Sequence, residues 1–411
     1  VIERTMDALA DELGLDRLEL RRRNLITEFP KQIASGLTID SGDYVGALDR
    51  LLENVDLPAF LAEQQARRDR GDAKQLGIGF STYNEMCGLA PSRILGAIRY
   101  AAGGWESSTV RFLPTGTVQV VVGTSPHGQG HETAFSQVVA DLLGVDVGDV
   151  EVLHGDTSVA PYGMDTYGSR SLPVGGAALH HAAGRVIEKA REIVAYQLEV
   201  APEDLEYAPG TFTVKGSPDR SKTIKEAAWA AWTSHAIPDG MDPFLEATAT
   251  WDAPNFSWPG GAHACVVEVD VETGDARVVR YLAVDEIGTV VNPLIADGQV
   301  HGGVTQGIAT ALYEEGAYDD EGNLMTPNLV TYLVPSAAEL PSFELDRVSA
   351  PSPTHPFGAK GVGETGTIAS AAAVVNAVVD AVSHLGVRDV GLPATPERVW
   401  RAIEDAKGGV R

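Results

Sequence analysis

The chain has 411 residues, enough to bury a large core and to hold two or three domains. Its formal charge of −26 at pH 7 argues against binding nucleic acid or an anionic membrane through a basic face. Two cysteines, Cys87 and Cys265, are too few for a disulfide framework or a cysteine-held iron–sulfur cluster. No apolar run reads as a membrane span and no signal peptide is visible, so the expected location is cytoplasmic.

Hydrophobic spacing predicts helices over 1–12, 17–24, 44–54 and 57–70. The first begins without a capping residue, and Val1 is not an initiator, so the chain is expected to be a segment of something longer. Strand character at 74–84 places a boundary near residue 73. A hairpin over 109–112 and 118–122 leads into a glycine-rich loop and a helix over 132–143. A short strand at 150–154 and a loop over 155–170 precede a long helix over 174–198. A strand at 212–214 and a helix over 224–232 complete this region. Strands return at 246–251, 262–271 and 276–285, followed by helices over 294–313, 368–385 and 396–406. Strands mixed with long helices make the fold α+β, with expected units 1–72, 73–244 and 245–411.

The 44 glycines exceed the usual share of roughly 7%, and they gather in loops suited to a ligand. In Gly123–Thr133, Gln129 offers a donor and an acceptor between Gly128 and Gly130. His127 and His131, with Glu132 beside them, raise a zinc site, but the glycines break the helix that HExxH needs. The plainer reading has His131 and Glu132 cap the next helix. In the second loop, Tyr167-Gly168-Ser169-Arg170-Ser171 sets two hydroxyls around a guanidinium ahead of a helix, which suits a phosphate. As structure alone, those serines are N-caps and Arg170 is a surface ion-pair partner. The third stretch, 285–307, holds Asn292 and Gln299 among small residues that helix packing would also explain. The last, Gly358-Ala-Lys360-Gly361-Val-Gly363-Glu364, sets one carboxylate among glycines before a helix, where it could simply favour the positive helix end. There is no GxSxG elbow, Walker A or Rossmann fingerprint. The pattern suggests a long ligand gripped at several points, with Glu364 placed by the last grip.

Taken in order, GQGHET (Gly128–Thr133), GDTSVAPYG (Gly155–Gly163), YGSRS (Tyr167–Ser171), NP…GQVHGG (Asn292–Gly303) and GAKGVGE (Gly358–Glu364) resemble the molybdopterin-binding large subunit of the molybdenum hydroxylases. That family includes xanthine dehydrogenase, aldehyde oxidase and aerobic carbon monoxide dehydrogenase. The resemblance spans nearly the whole chain and leans toward the bacterial carbon-monoxide-dehydrogenase-like branch. It implies the family's α+β molybdopterin-binding fold of mixed sheets and long helices. It also implies molybdopterin cytosine dinucleotide, with oxo and sulfido groups on a molybdenum held by the dithiolene and not by protein ligands. On this resemblance Gly128, Gln129, Gly130 and Gln299 contact the pterin region. Gly168, Ser169, Arg170 and Ser171, with Lys360 and Gly361, hold the phosphates. His131, Thr133, Thr166, Tyr167, Asn292, Val362 and Gly363 complete the cofactor-binding set, and Glu364 is the base beside the metal. A base there would need burial in a closed apolar pocket to raise its pKa.

The resemblance further implies 2Fe–2S clusters on a small subunit and FAD on a medium subunit, in a dimer of heterotrimers or a similar assembly. Two departures stand out. The family's GGGFG-type loop and AYRG-type substrate loop have no counterpart, so the chain reads as a C-terminal half that needs an N-terminal half as partner. Thr365 follows the glutamate where carbon monoxide dehydrogenases tend to carry serine. Hydroxylation of an N-heterocycle or aldehyde is therefore favoured over carbon monoxide oxidation. From another class comes the reading of a cofactor-binding or assembly half, inactive without its partner.

Overall fold

Gly77 and Gly79 lie on one face of the strand Lys74–Asn84, and the backbone of the helix Thr365–Val382 rests directly on them. A Cβ at Gly79 would sit 2.1 Å from the Ala373 carbonyl oxygen, and one at Gly77 2.0 Å from that of Ala377. The computed structural model, which describes residues 1–89 and 91–408, places this strand at the edge of a four-stranded sheet. Its antiparallel neighbours are Gly260–Asp270 and then Ala276–Glu286, and Phe343–Val348 adds in parallel at the far edge. Side chains alternate along the strands, so the sheet buries both faces. One face packs Cys265, Val267 and Val269 against Val374 and Val378 of the last long helix and Val304 and Ile308 of Pro293–Leu312. The other packs Ile78, Phe80 and Ala264 against Leu48 and Leu51 of the helix Tyr44–Val55.

A second sheet runs in the order Glu246–Trp251, Glu106–Phe112, Val118–Val122, Val150–Leu153. The helices His131–Leu143 and Ala177–Leu198 cover it through Phe135, Val139, Val186 and Ile193. A three-stranded meander over Leu205–Ala208, Thr211–Val214 and Ser217–Thr223, with the helix Ile224–Thr233, extends the same core.

Two features bear on the expectations from sequence. The sheets exchange strands across the proposed boundaries: Lys74–Asn84 joins the sheet of the last unit, while Glu246–Trp251 crosses to pair with Glu106–Phe112. Strand pairing thus links the stretches 73–244 and 245–411 in both sheets. The stretch Thr365–Leu385 is also long and apolar enough to cross a membrane by length and composition, with hydropathy 1.6. With 61% of it buried, it serves here as the core helix between a sheet and a neighbouring helix. Elements missed from sequence lack periodic signal. Ser217–Thr223 is a largely exposed, charged edge strand, and Phe343–Val348 is a half-buried one.

Candidate active site

Four segments far apart in sequence line one cleft of about 350 Å³. Gly128, Gln129 and His131 come from the first glycine-rich loop, and Thr166, Tyr167, Gly168, Ser169 and Ser171 from the second. Gln299 projects from the helix Pro293–Leu312, and Gly361, Val362, Gly363 and Glu364 close the wall.

Glu364 is the N-cap residue of the helix Thr365–Val382, and its side chain does not cap that helix. Its Oε1 accepts from the Gly168 N–H at 3.1 Å, while its own N–H donates to Ser169 Oγ at 3.1 Å. Among the described residues Oε2 has no partner, so one carboxylate oxygen is anchored and the other is left for the cleft. The junction is tight because Ser169 takes a positive φ of 52° and its carbonyl accepts from Cys87 Sγ at 3.1 Å. Only a glycine fits opposite: a Cβ at Gly361 would meet both Cys87 Sγ and the Ser169 oxygen at 2.3 Å. The expected closed pocket is absent from this chain, in which Glu364 is exposed.

The cations expected to meet phosphates are committed elsewhere. Arg170 and Glu106 are both 0% exposed and paired at 2.5 Å. The same guanidinium donates to the carbonyls of Asp165, Gly104 and Trp105. Lys360 Nζ is paired with Glu286 at 2.5 Å, again with both side chains at 0% exposure, and also donates to Trp258 O at 3.1 Å. Burial pushes the Glu286 carboxyl up, with Lys360 acting in the opposite direction. A buried charge has to be paired, and each of these two side chains is paired with a carboxylate. Neither Glu106 nor Glu286 stands out in sequence; each is an acid at one end of a strand that carries other charged residues as well.

Other expected contact residues have their own local roles or positions. Asn292 caps its helix, accepting from the Ile295 N–H at 3.0 Å and donating to Gln137 at 2.9 Å. Thr133 is exposed and outside the cleft lining. Gly130 sits just behind the lining as an N-cap with φ 77°, packed on Ile295. Gln129 lines the cleft, but its amide folds onto its own loop, donating to Ser125 O at 3.1 Å and accepting from the His127 N–H. Thr166 ties this loop to the next, donating to Ser125 O at 2.9 Å and meeting Ser171 Oγ at 2.8 Å.

Three helix starts also face the cleft. The helix His131–Leu143, the π-helical turn Ser171–Gly176 that opens Ala177–Leu198, and Thr365–Val382 all begin at the cleft. None of the three has a side-chain cap hydrogen bond among the described residues. Free backbone N–H groups at helix starts form an anion site without any side-chain charge. Burial, helped by His154, lowers the His131 imidazole to about 4, so it is neutral at pH 7, and its Nδ1 is buried without a partner. Its ring packs 4.9 Å from Phe135, and the exposed His127 lines the same cleft. Among the described residues no group of three His, Cys, Asp or Glu side chains could hold a metal ion. The donor set suits a flat, amide-rich heterocycle bearing phosphates: unpartnered His131 Nδ1, the Gln299 amide and three open helix ends.

A family model described as a molybdopterin cofactor-binding domain matches residues 50–341. The carbon monoxide dehydrogenase large chain of Hydrogenophaga pseudoflava is 43% identical over 408 residues, which is 98% of this chain and 50% of that one. The nicotine 6-hydroxylase large subunit of Paenarthrobacter nicotinovorans is 37% identical over 403 residues, covering 98% and 49%. The solved structure of reconstituted CO dehydrogenase from Oligotropha carboxidovorans matches with a TM-score of 0.93 at 39% identity, covering 100% of this chain and 51% of that one. The chain spans about half the length of the curated relatives it matches.

Proposed function

Since this chain belongs to the molybdopterin-binding large-subunit family of the molybdenum hydroxylases, we propose that it forms the base-bearing wall of the active site in an enzyme that hydroxylates an N-heterocycle or an aldehyde. The observation that carries this reading is the convergence of Glu364 and three uncapped helix starts on one cleft. The bound cofactor would supply a molybdenum centre that accepts two electrons from the substrate carbon. The chain's own groups do the rest. The helix starts at His131, Ser171 and Thr365 hold the phosphates of a cytosine dinucleotide form, and His131 Nδ1 and Gln299 meet the polar edge of the pterin. Glu364, fixed through Oε1 on the Gly168 N–H, receives the proton at Oε2.

Exposure of Glu364 fits a chain whose cleft is closed by an N-terminal half carrying the substrate loop. Leu329 and Val330, 80% and 85% exposed, offer that half an apolar surface. Electrons would leave through 2Fe–2S clusters and FAD on further subunits of a cytoplasmic assembly. Carbon monoxide oxidation is the second reading, favoured by the 43% identity to a carbon monoxide dehydrogenase large chain. Acid hydrolysis of the assembled complex is expected to release cytidine monophosphate in proportion to molybdenum. Aldehyde or N-heterocycle turnover supports the first reading, turnover of carbon monoxide alone the second, and a complex without molybdenum would defeat both.

A further inference from the structure

Glu85 follows the strand Lys74–Asn84 where the chain leaves the sheet for the cleft. It is 6% exposed, and neither carboxyl oxygen has a hydrogen-bond partner among the described residues. A buried carboxyl left unpaired is rare and demands a reason. Its placement is not accidental slack. Its N–H donates to Pro259 O at 2.9 Å, and Cys87 exchanges backbone bonds with Ser257 at 3.0 and 3.1 Å. Gly88 N–H donates to Gly168 O at 3.0 Å, and Cys87 Sγ to Ser169 O at 3.1 Å. The segment carrying Glu85 is thus braced on the two residues that hold Glu364.

We propose that Glu85 is a positioning residue for Glu364: its carboxyl, buried without a partner on the segment braced against Gly168 and Ser169, sets how much negative charge this wall places beside the Glu364 carboxylate. The inference rests on Glu364 being the base. Burial pushes the Glu85 carboxyl up to about 7; the Ser169 hydroxyl eases its ionisation without a closed hydrogen bond, and the charge of Glu364 opposes it. The other groups that face it are Tyr83 and Cys87, both pushed well above their ordinary values by burial and so neutral. No cation acts on it. The largest cause is burial, and the like charge of Glu364 adds to it in the same direction. A neutral Glu85 leaves the Glu364 carboxylate undisturbed on the Gly168 N–H; an ionised one repels it.

Isotope-edited infrared titration of the assembled complex, with labelled glutamate, tests this without reference to turnover. A protonated-carboxyl band that disappears near pH 7 is expected in the wild type and absent from Glu85→Gln. In Glu364→Gln the same band is expected to titrate at lower pH, because the like charge is gone. The pH profile of kcat should lose its alkaline decline in Glu85→Gln while KM stays unchanged. If Glu85→Gln does not fold, the wild type and Glu364→Gln alone decide, since Glu364 is exposed. No band titrating near neutrality, or a midpoint unmoved by Glu364→Gln, overturns the proposal. Retained activity in Glu364→Gln would instead defeat the base assignment and leave the coupling of the two carboxyls intact.

Discussion

Glutamine at position 364 is expected to lower kcat of the assembled enzyme by about 10²–10⁴-fold, the range that loss of a positioned general base produces. The substitution keeps the size of the side chain, and an amide oxygen can still accept from the Gly168 N–H that Oε1 now uses. The backbone bond from residue 364 to Ser169 Oγ is untouched. On the proposed phosphate grip by helix starts this carboxylate holds no part of the cofactor, so molybdenum content should stay near the wild-type value. Parallel measurement of turnover and bound metal checks both halves of the expectation. Activity within roughly tenfold of wild type would mean that Glu364 is not the base.

The second large effect is on folding. Arg170→Met is expected to destabilise the protein by about 3–5 kcal/mol, because it leaves Glu106 charged, buried and unpaired. Arg170 and Glu106 are completely enclosed, and the guanidinium also holds the carbonyls of Gly104, Trp105 and Asp165. It therefore staples the loop that carries Ser169 and Ser171 to the edge of the strand Glu106–Phe112. The combined Arg170→Met, Glu106→Met variant should lose less than Arg170→Met alone, since no orphan charge remains. Denaturant unfolding and cofactor content separate this from a phosphate-binding role. A phosphate ligand at Arg170 would lose nucleotide and keep stability; a structural one loses stability first.

These two residues also mark what the sequence made legible. Glu364 is readable because glycines crowd around a lone acid ahead of an apolar helix, a local pattern. Long amphipathic helices and alternating strands are readable for the same reason. Arg170 looks like an anion grip because two serine hydroxyls flank it before a helix, and Lys360 because it sits beside Gly361 before another. Their partners lie 64 and 74 residues away, and burial decides which anion they meet. The helix starts proposed as the phosphate grip give no positive signal, since what identifies them is the lack of a Ser, Thr or Asp cap. Glu85 is silent in sequence because its meaning depends on burial behind Ser169. Strand exchange between the two sheets is silent for a related reason: it is a non-local pairing that composition does not encode.

The most direct test of the account is anomalous diffraction at the molybdenum edge from crystals of the assembled complex. One peak inside the cleft, between Gln299 and Glu364, is the predicted result. A molybdenum peak outside that cleft, away from Glu364, would contradict the account.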